Sequence, residues 1–83
     1  MMNTQDIMNK YGVSWRTVQT WRRGYYTRRY KGVTEKKYLL PDYSSIPCAW
    51  ERAANKRIME WHYDEEAAAA WIARLPSMRR QND

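Results

Sequence analysis

The stretch YGVSWRTVQTWRRG (residues 11–24) decides how this chain is read. It crowds two tryptophans, three arginines and two threonines into one short run. Gly12 is placed to stop a preceding helix, Ser14 is a good N-cap for a second one, and Gly24 is placed to end that second helix. The spacing therefore predicts a helix over Trp15 to Arg23. At about 100° per residue, Trp21 and Tyr25 fall within about 60° of Val18 and face a core with it. Arg16, Gln19, Thr20 and Arg23 cluster on the opposite side, between about 100° and 200°. Trp15 and Arg22 flank the apolar stripe at about 60° and 40°, and Trp15 lies on the seam between the two faces.

Working outward, Asn3 or Thr4 caps an earlier helix whose apolar side holds Ile7, Met8 and Tyr11, with Asp6 in the first turn where the helix dipole favours an anion. Helix, glycine turn, helix is the spacing of a helix-turn-helix. Such a unit needs a third element to cover its apolar faces. YDEEAAAAWIARLP (63–76) supplies one: Asp64 caps, Ala67, Ala68, Trp71, Ile72 and Leu75 form a helical stripe, and Pro76 ends it.

Before it, CAWERAANKRIMEWHY (48–63) admits two readings. Trp50, Ala54, Ile58 and Trp61 are spaced like a helix stripe, whereas Met59, Trp61 and Tyr63 alternate as in a strand. The preferred reading is a β-hairpin, Cys48 to Arg52 with Arg57 to Tyr63, turning through AANK. Residues 25–47 are punctuated by Gly32, Pro41 and Pro47. Short strands at Tyr25 to Tyr30 and Lys36 to Leu40, or one long excursion, both fit them.

Charge is the first functional clue. The chain carries +6, unevenly: Lys10 to Lys37 holds nine basic residues and one acid, Glu35, for +8, while Tyr38 to Asp83 carries −1. That footprint suits a polyanion. An ordinary solvated face mixes signs, yet no acid occurs from Val13 to Thr34. Arginine bidentate to guanine, glutamine to adenine and threonine to thymine or phosphate are the pairings of major-groove readout. Trp15, Arg16, Thr17, Gln19, Thr20, Arg22 and Arg23 are thus candidate recognition-helix contacts. Arg28, Arg29, Lys31, Lys36 and Lys37, with Arg52, Lys56 and Arg57 around the hairpin turn, are candidates for phosphate contact.

Other classes find little support. No apolar run is long enough to span a membrane, and MMNTQDIMNK (1–10) lacks the layout of a secretory signal. One cysteine, Cys48, excludes an internal disulfide framework and fits a reducing cytoplasm. With one histidine, His62, beside it, no zinc site of the usual ligands is expected. Asp64, Glu65 and Glu66 read as a cap and dipole partners rather than a metal cluster. No phosphate-binding glycine loop or nucleophile motif occurs, so neither an enzyme nor a cofactor is expected.

The pattern T-x-x-I-x-x-x-Y-G-V-S-x-R-T-V-x-x-W-x-x-G, from Thr4 to Gly24, resembles the helix-turn-helix of the excisionase and MerR superfamily. It is similar also to the DNA-binding domain of phage terminase small subunits. RIMEWHYDEEAAAAWIARL (57–75) matches the later signature of that superfamily, a strand ending in an aromatic, an acidic cap and a short helix with a tryptophan. The resemblance covers residues 3–24 and 57–75, and the intervening segment is longer than a family wing. By position it implies that Ile7, Tyr11, Val13, Val18 and Trp21 are core. Ser14 would cap the recognition helix, with Arg16 and Thr17 at its DNA-facing end. It further implies a phage or mobile-element setting, with excisionase, transcription-regulator or packaging-site roles. Cooperative self-association or a recombinase partner would accompany binding.

The expected fold is α+β and mainly helical: a winged helix-turn-helix with a β-hairpin wing and a C-terminal helix. Residues 1–76 form the DNA-binding domain, with an enlarged insertion or wing at 25–47, and residues 77–83 form a flexible tail. The expected function is sequence-specific binding of double-stranded DNA. Two alternatives differ in class. YYTRRYK (25–31) interleaves tyrosine with cations as single-strand binders do, although the small core available favours Tyr25, Tyr26 and Tyr30 as packing residues of a strand. A protein-binding module anchored by exposed Trp15 and Trp50 is the other.

Overall fold

The computed structural model describes residues 1–54 and 57–76. The chain opens with a two-residue strand, β1 (Met2–Asn3), then α1 (Thr4–Tyr11) and α2 (Trp15–Arg23). Asn3 and Asp6 form a reciprocal cap: Asn3 Oδ1 accepts from the Asp6 amide at 2.9 Å, and Asp6 Oδ2 accepts from the Asn3 amide at 3.0 Å. Gly12 closes α1, donating its amide to the Met8 carbonyl. Ser14 caps α2 by accepting from the Thr17 amide, and Gly24 ends it through the Thr20 carbonyl.

Two hairpins come next. β2 (Tyr25–Tyr30) and β3 (Val33–Tyr38) pair antiparallel in register from Tyr25↔Tyr38 to Tyr30↔Val33. The loop between them is two residues, Lys31 and Gly32, both at positive φ (51° and 79°). That is the backbone of a type I′ turn, whose twist matches its strands. β4 (Ala49–Arg52) and β5 (Met59–Tyr63) form the second hairpin, and β1 pairs on the far side of β5, giving the order β1-β5-β4. Asp64 then caps α3 (Glu65–Ala73) by accepting from the Ala67 amide at 2.9 Å.

The chain is α+β, but it is not mainly helical: helix covers about 36% and strand about 31% of the described residues. The difference lies at 25–38, where the sequence admits a loop and the chain forms a full hairpin. The second strand starts at Val33 rather than Lys36, because the turn is the dipeptide Lys31-Gly32. The 48–63 hairpin forms close to its expected limits, and the helix-stripe alternative for that segment does not occur. The expected tail, 77–83, lies outside the described residues.

One core holds the helices to the β1-β5-β4 sheet. Ile7, Val18, Trp21, Tyr63, Ala68, Trp71, Ile72 and Leu75 are buried together, with Tyr11 and Val13 packed against them. Trp21 is its centre, edge-on to Tyr11 and Trp71 with both ring centroids at 6.2 Å. Leu40 and Ile46 complete it from the segment after β3, which returns across the end of α2. There Leu39 donates to the Gly24 carbonyl and Ile46 to the Trp21 carbonyl, each at 2.9 Å. The return runs so close that a Cβ on Gly24 would lie 2.8 Å from the Ser44 carbonyl oxygen.

The β2–β3 hairpin takes almost no part in this core. Of its twelve strand residues only Tyr25 is half-buried and the rest are exposed. It is an arm.

Candidate nucleic-acid interface

Helix α2 separates its faces as the angular spacing requires. Val18 and Trp21 are buried, Arg16 and Arg23 are exposed, and Gln19 is half-buried. Trp15 is 55% exposed, so the seam residue belongs to the surface beside the arginines. Arg16 and Arg23 pair with no carboxylate among the described residues. Among the described residues three ion pairs occupy carboxylates elsewhere, Lys10–Glu65 at 2.8 Å, Lys37–Glu35 at 3.2 Å and Arg74–Asp42 at 2.8 Å, and Glu60 lies 3.4 Å from His62 Nε2.

Three of the expected contact residues have other work. Arg22 Nη1 donates to the Tyr63 hydroxyl at 3.0 Å, and its guanidinium lies 5.0 Å from the Trp61 ring centroid. Tyr63 in turn lies 3.0 Å from Thr4 Oγ1. Arg22 therefore docks α2 on β5 rather than joining the open arginine face. Thr20 Oγ1 donates back to the Arg16 carbonyl at 3.1 Å, and Thr17 Oγ1 lies 3.2 Å from Ser14 Oγ inside the cap. The threonine methyls and the side chains of Trp15, Arg16, Gln19 and Arg23 remain to meet a groove.

Arg22 also fixes where the second hairpin stands. Trp61 pairs across the strands with Trp50, ring centroids 5.0 Å apart, and Trp50 is 53% exposed. Arg52 and Arg57 are exposed towards the turn of that hairpin. Lys56 lies outside the described residues.

The arm sorts its cations by strand alternation. Thr27, Arg29, Thr34 and Lys36 share one face with Tyr25 and Tyr38, while Tyr26, Arg28, Tyr30, Glu35 and Lys37 share the other. Lys31 stands in the turn. Glu35 partly neutralises the second face through Lys37, and the first face carries no acid. Tyr26 and Tyr30 are exposed rather than packing residues, and they lie opposite Tyr25. Tyr25 itself is half-buried, with its ring 5.7 Å from that of Tyr38 and 4.9 Å from Lys36 Nζ.

Sequence reasoning passed over Tyr38 and Tyr43, which join Tyr25 in a ladder at the root of the arm. Their ring centroids are 4.4 Å apart. The available signal was the return segment itself: Leu40 and Ile46 around PDYSS imply a loop tied down at both ends.

Other chemistry is sparse. Cys48 is a half-buried free thiol, pushed above its ordinary pKa by burial. Among the described residues no group of three or more histidine, cysteine, aspartate or glutamate side chains gathers to hold a metal, and no helix is long and apolar enough to cross a membrane. Comparison with family models, with curated proteins and with solved structures gives no match.

Proposed function

We propose that this protein binds double-stranded DNA, with α2 lying in the major groove and the β4–β5 hairpin against the neighbouring backbone. One observation carries the reading. The exposed side of a capped helix, the second of a helix-glycine turn-helix pair, bears Arg16, Gln19 and Arg23 with no acid on the helix and no described carboxylate paired to either arginine. Arginine at such a position is suited to guanine O6 and N7, and Gln19 to adenine. Arg52 and Arg57 supply phosphate contacts from the second hairpin, and the arm supplies more. These set affinity and register rather than sequence. An excisionase-like architectural role or a regulatory role in a phage or mobile element is suggested by the sequence resemblance alone.

Selection of bound sites from a random duplex pool, followed by fluorescence anisotropy, tests this. Arg16→Ala and Arg23→Ala should each cost about 1–3 kcal/mol on the selected site and much less on a scrambled duplex. Equal losses on both would remove base readout from α2. Failure of the native chain to bind any duplex in a salt-dependent way would reject the reading as a whole.

A further inference from the structure

Tyr43 holds a conformation that a side chain of its size rarely adopts, and it stays largely exposed while doing so. Its φ is +61°, in the left-handed region, and the residue is 69% exposed. The residues around it are fastened. The Tyr43 amide donates to the Leu40 carbonyl at 3.0 Å. Asp42 Oδ1 accepts from the Ser44 amide and hydroxyl at 3.2 and 2.8 Å, and Asp42 Oδ2 meets Arg74 at 2.8 Å. Ser44 Oγ accepts from the Trp71 indole at 3.1 Å. The loop is bolted to α3, and the one ring it turns outward becomes the last rung of a ladder: Tyr25 to Tyr38 at 5.7 Å, Tyr38 to Tyr43 at 4.4 Å. Backbone outliers that their surroundings hold firmly cluster at ligand-binding sites.

The surroundings define the ligand. The ladder stands at the root of the acid-free arm face, whose outward run is Lys36, Thr34 and Arg29, with Lys31 at the tip. The acid next to Tyr43 in the chain, Asp42, is occupied by Arg74 and Ser44, and Glu35 lies on the other face with Lys37. The exposed rungs Tyr38 and Tyr43, followed by unopposed cations, match a chain of alternating flat rings and anions. The interior of a duplex offers this face only its phosphates, since neighbouring base pairs cover its base faces. We propose that the Tyr25–Tyr38–Tyr43 ladder and the Lys36/Arg29 face of the arm bind an unpaired nucleic-acid strand. A base stacks on Tyr43 as the next rung, and the following phosphates meet Lys36 and Arg29. The site takes roughly four nucleotides, the short end of single-strand sites.

This goes beyond duplex binding by α2 and stands without it. The probes are a fluorescein-labelled oligothymidylate, a blunt duplex, and the same duplex with an oligothymidylate tail, each followed by anisotropy. The native chain should bind the tailed duplex more tightly than the blunt one. Tyr43→Asn, which tolerates the left-handed backbone, should abolish that gain and weaken oligothymidylate binding about 5-fold or more, while leaving blunt-duplex affinity unchanged. Tyr43→Phe keeps the ring and should keep the gain. Arg16→Ala should do the reverse of Tyr43→Asn, lowering blunt-duplex affinity and preserving the gain. Equal affinity of the native chain for tailed and blunt duplex, or a gain that survives Tyr43→Asn, overturns the proposal. Oligothymidylate binding without any duplex binding would reject the α2 reading and support this one.

Discussion

Gly24 carries two demands at one position. It ends α2 at φ +82°, and the returning chain approaches it so closely that any Cβ meets the Ser44 carbonyl. Gly32 has a similar φ of +79°, but the space where its Cβ would go is open. The pair separates conformational strain from steric exclusion. Gly32→Ala incurs only the left-handed penalty, about 1 kcal/mol, and it falls on a hairpin outside the core. Gly24→Ala adds a backbone collision and must displace the 39–46 return that seats Leu40 and Ile46. We expect Gly24→Ala to cost at least about 2 kcal/mol. That lowers the melting temperature by roughly 10 °C for a domain of this size. Circular dichroism melts of the two variants check the ordering, and equal losses would show that the close approach is not felt. The stop signal at Gly24 was legible in the sequence, because a helix end is local chemistry. The crowding was not, since it depends on a loop twenty residues further on.

At the scale of elements, legibility in the sequence tracks the range of the forces involved. Helices α1, α2 and α3 each begin at a residue whose side chain caps them, Asn3, Ser14 and Asp64, and each cap acts over three residues. Those boundaries were readable. The arm was readable only in part: a strand at Tyr25 to Tyr30 was one of two readings and matches β2, but the start of β3 was missed, because the strands show no apolar alternation and the turn uses Lys31 where asparagine or aspartate usually signals type I′. The tyrosines were visible as residues, but which of them share a face depends on register, and register is set by the turn. The arm's cations differ in what they can offer an anion. Lys36 lies over Tyr25 and meets no acid on its own face, whereas Lys37 is 3.2 Å from Glu35. Lys36→Ala should therefore lower the salt slope of nucleic-acid binding by about 0.7–0.9 unit, the share of one phosphate contact. Lys37→Ala should lower it by less. Anisotropy titrations across a salt series measure both, and two unchanged slopes would take the arm out of the interface.

For the molecule as a whole, two exposed ion pairs tie α3 to the rest: Lys10–Glu65 from α1, and Arg74–Asp42 from the return segment. The Arg74 guanidinium, helped by the Ser44 hydroxyl and amide, lowers the Asp42 carboxyl from 3.8 to about 2. Lys10 lowers Glu65 in the same sense. A carboxylate depressed in the folded chain contributes stability above its ordinary pKa, and that stability is lost as pH falls through the folded value. The Asp42 contribution is thus full above pH 3.8 and is lost as pH falls from there to about 2. Asp42→Asn should melt lower than the native chain above that window and lose less on acidification through it. Parallel melting curves against pH for the two chains would show that the pair holds nothing. Both pairs are solvent-exposed, so added salt should shrink the difference.

The arm's near-independence from the core bears on how this protein can change by descent. A hairpin outside the core can be lengthened or trimmed without repacking Trp21 or its neighbours. The increments are not equivalent. An insertion of one residue pair per strand preserves which side chains look which way. A single-residue slip of β3 would carry Tyr38 and Lys36 away from Tyr25 and put Glu35 and Lys37 in their place, breaking the ladder and setting an acid among the cations. Length variation among descendants of this chain should accordingly come in even steps, with the acid kept on the far side.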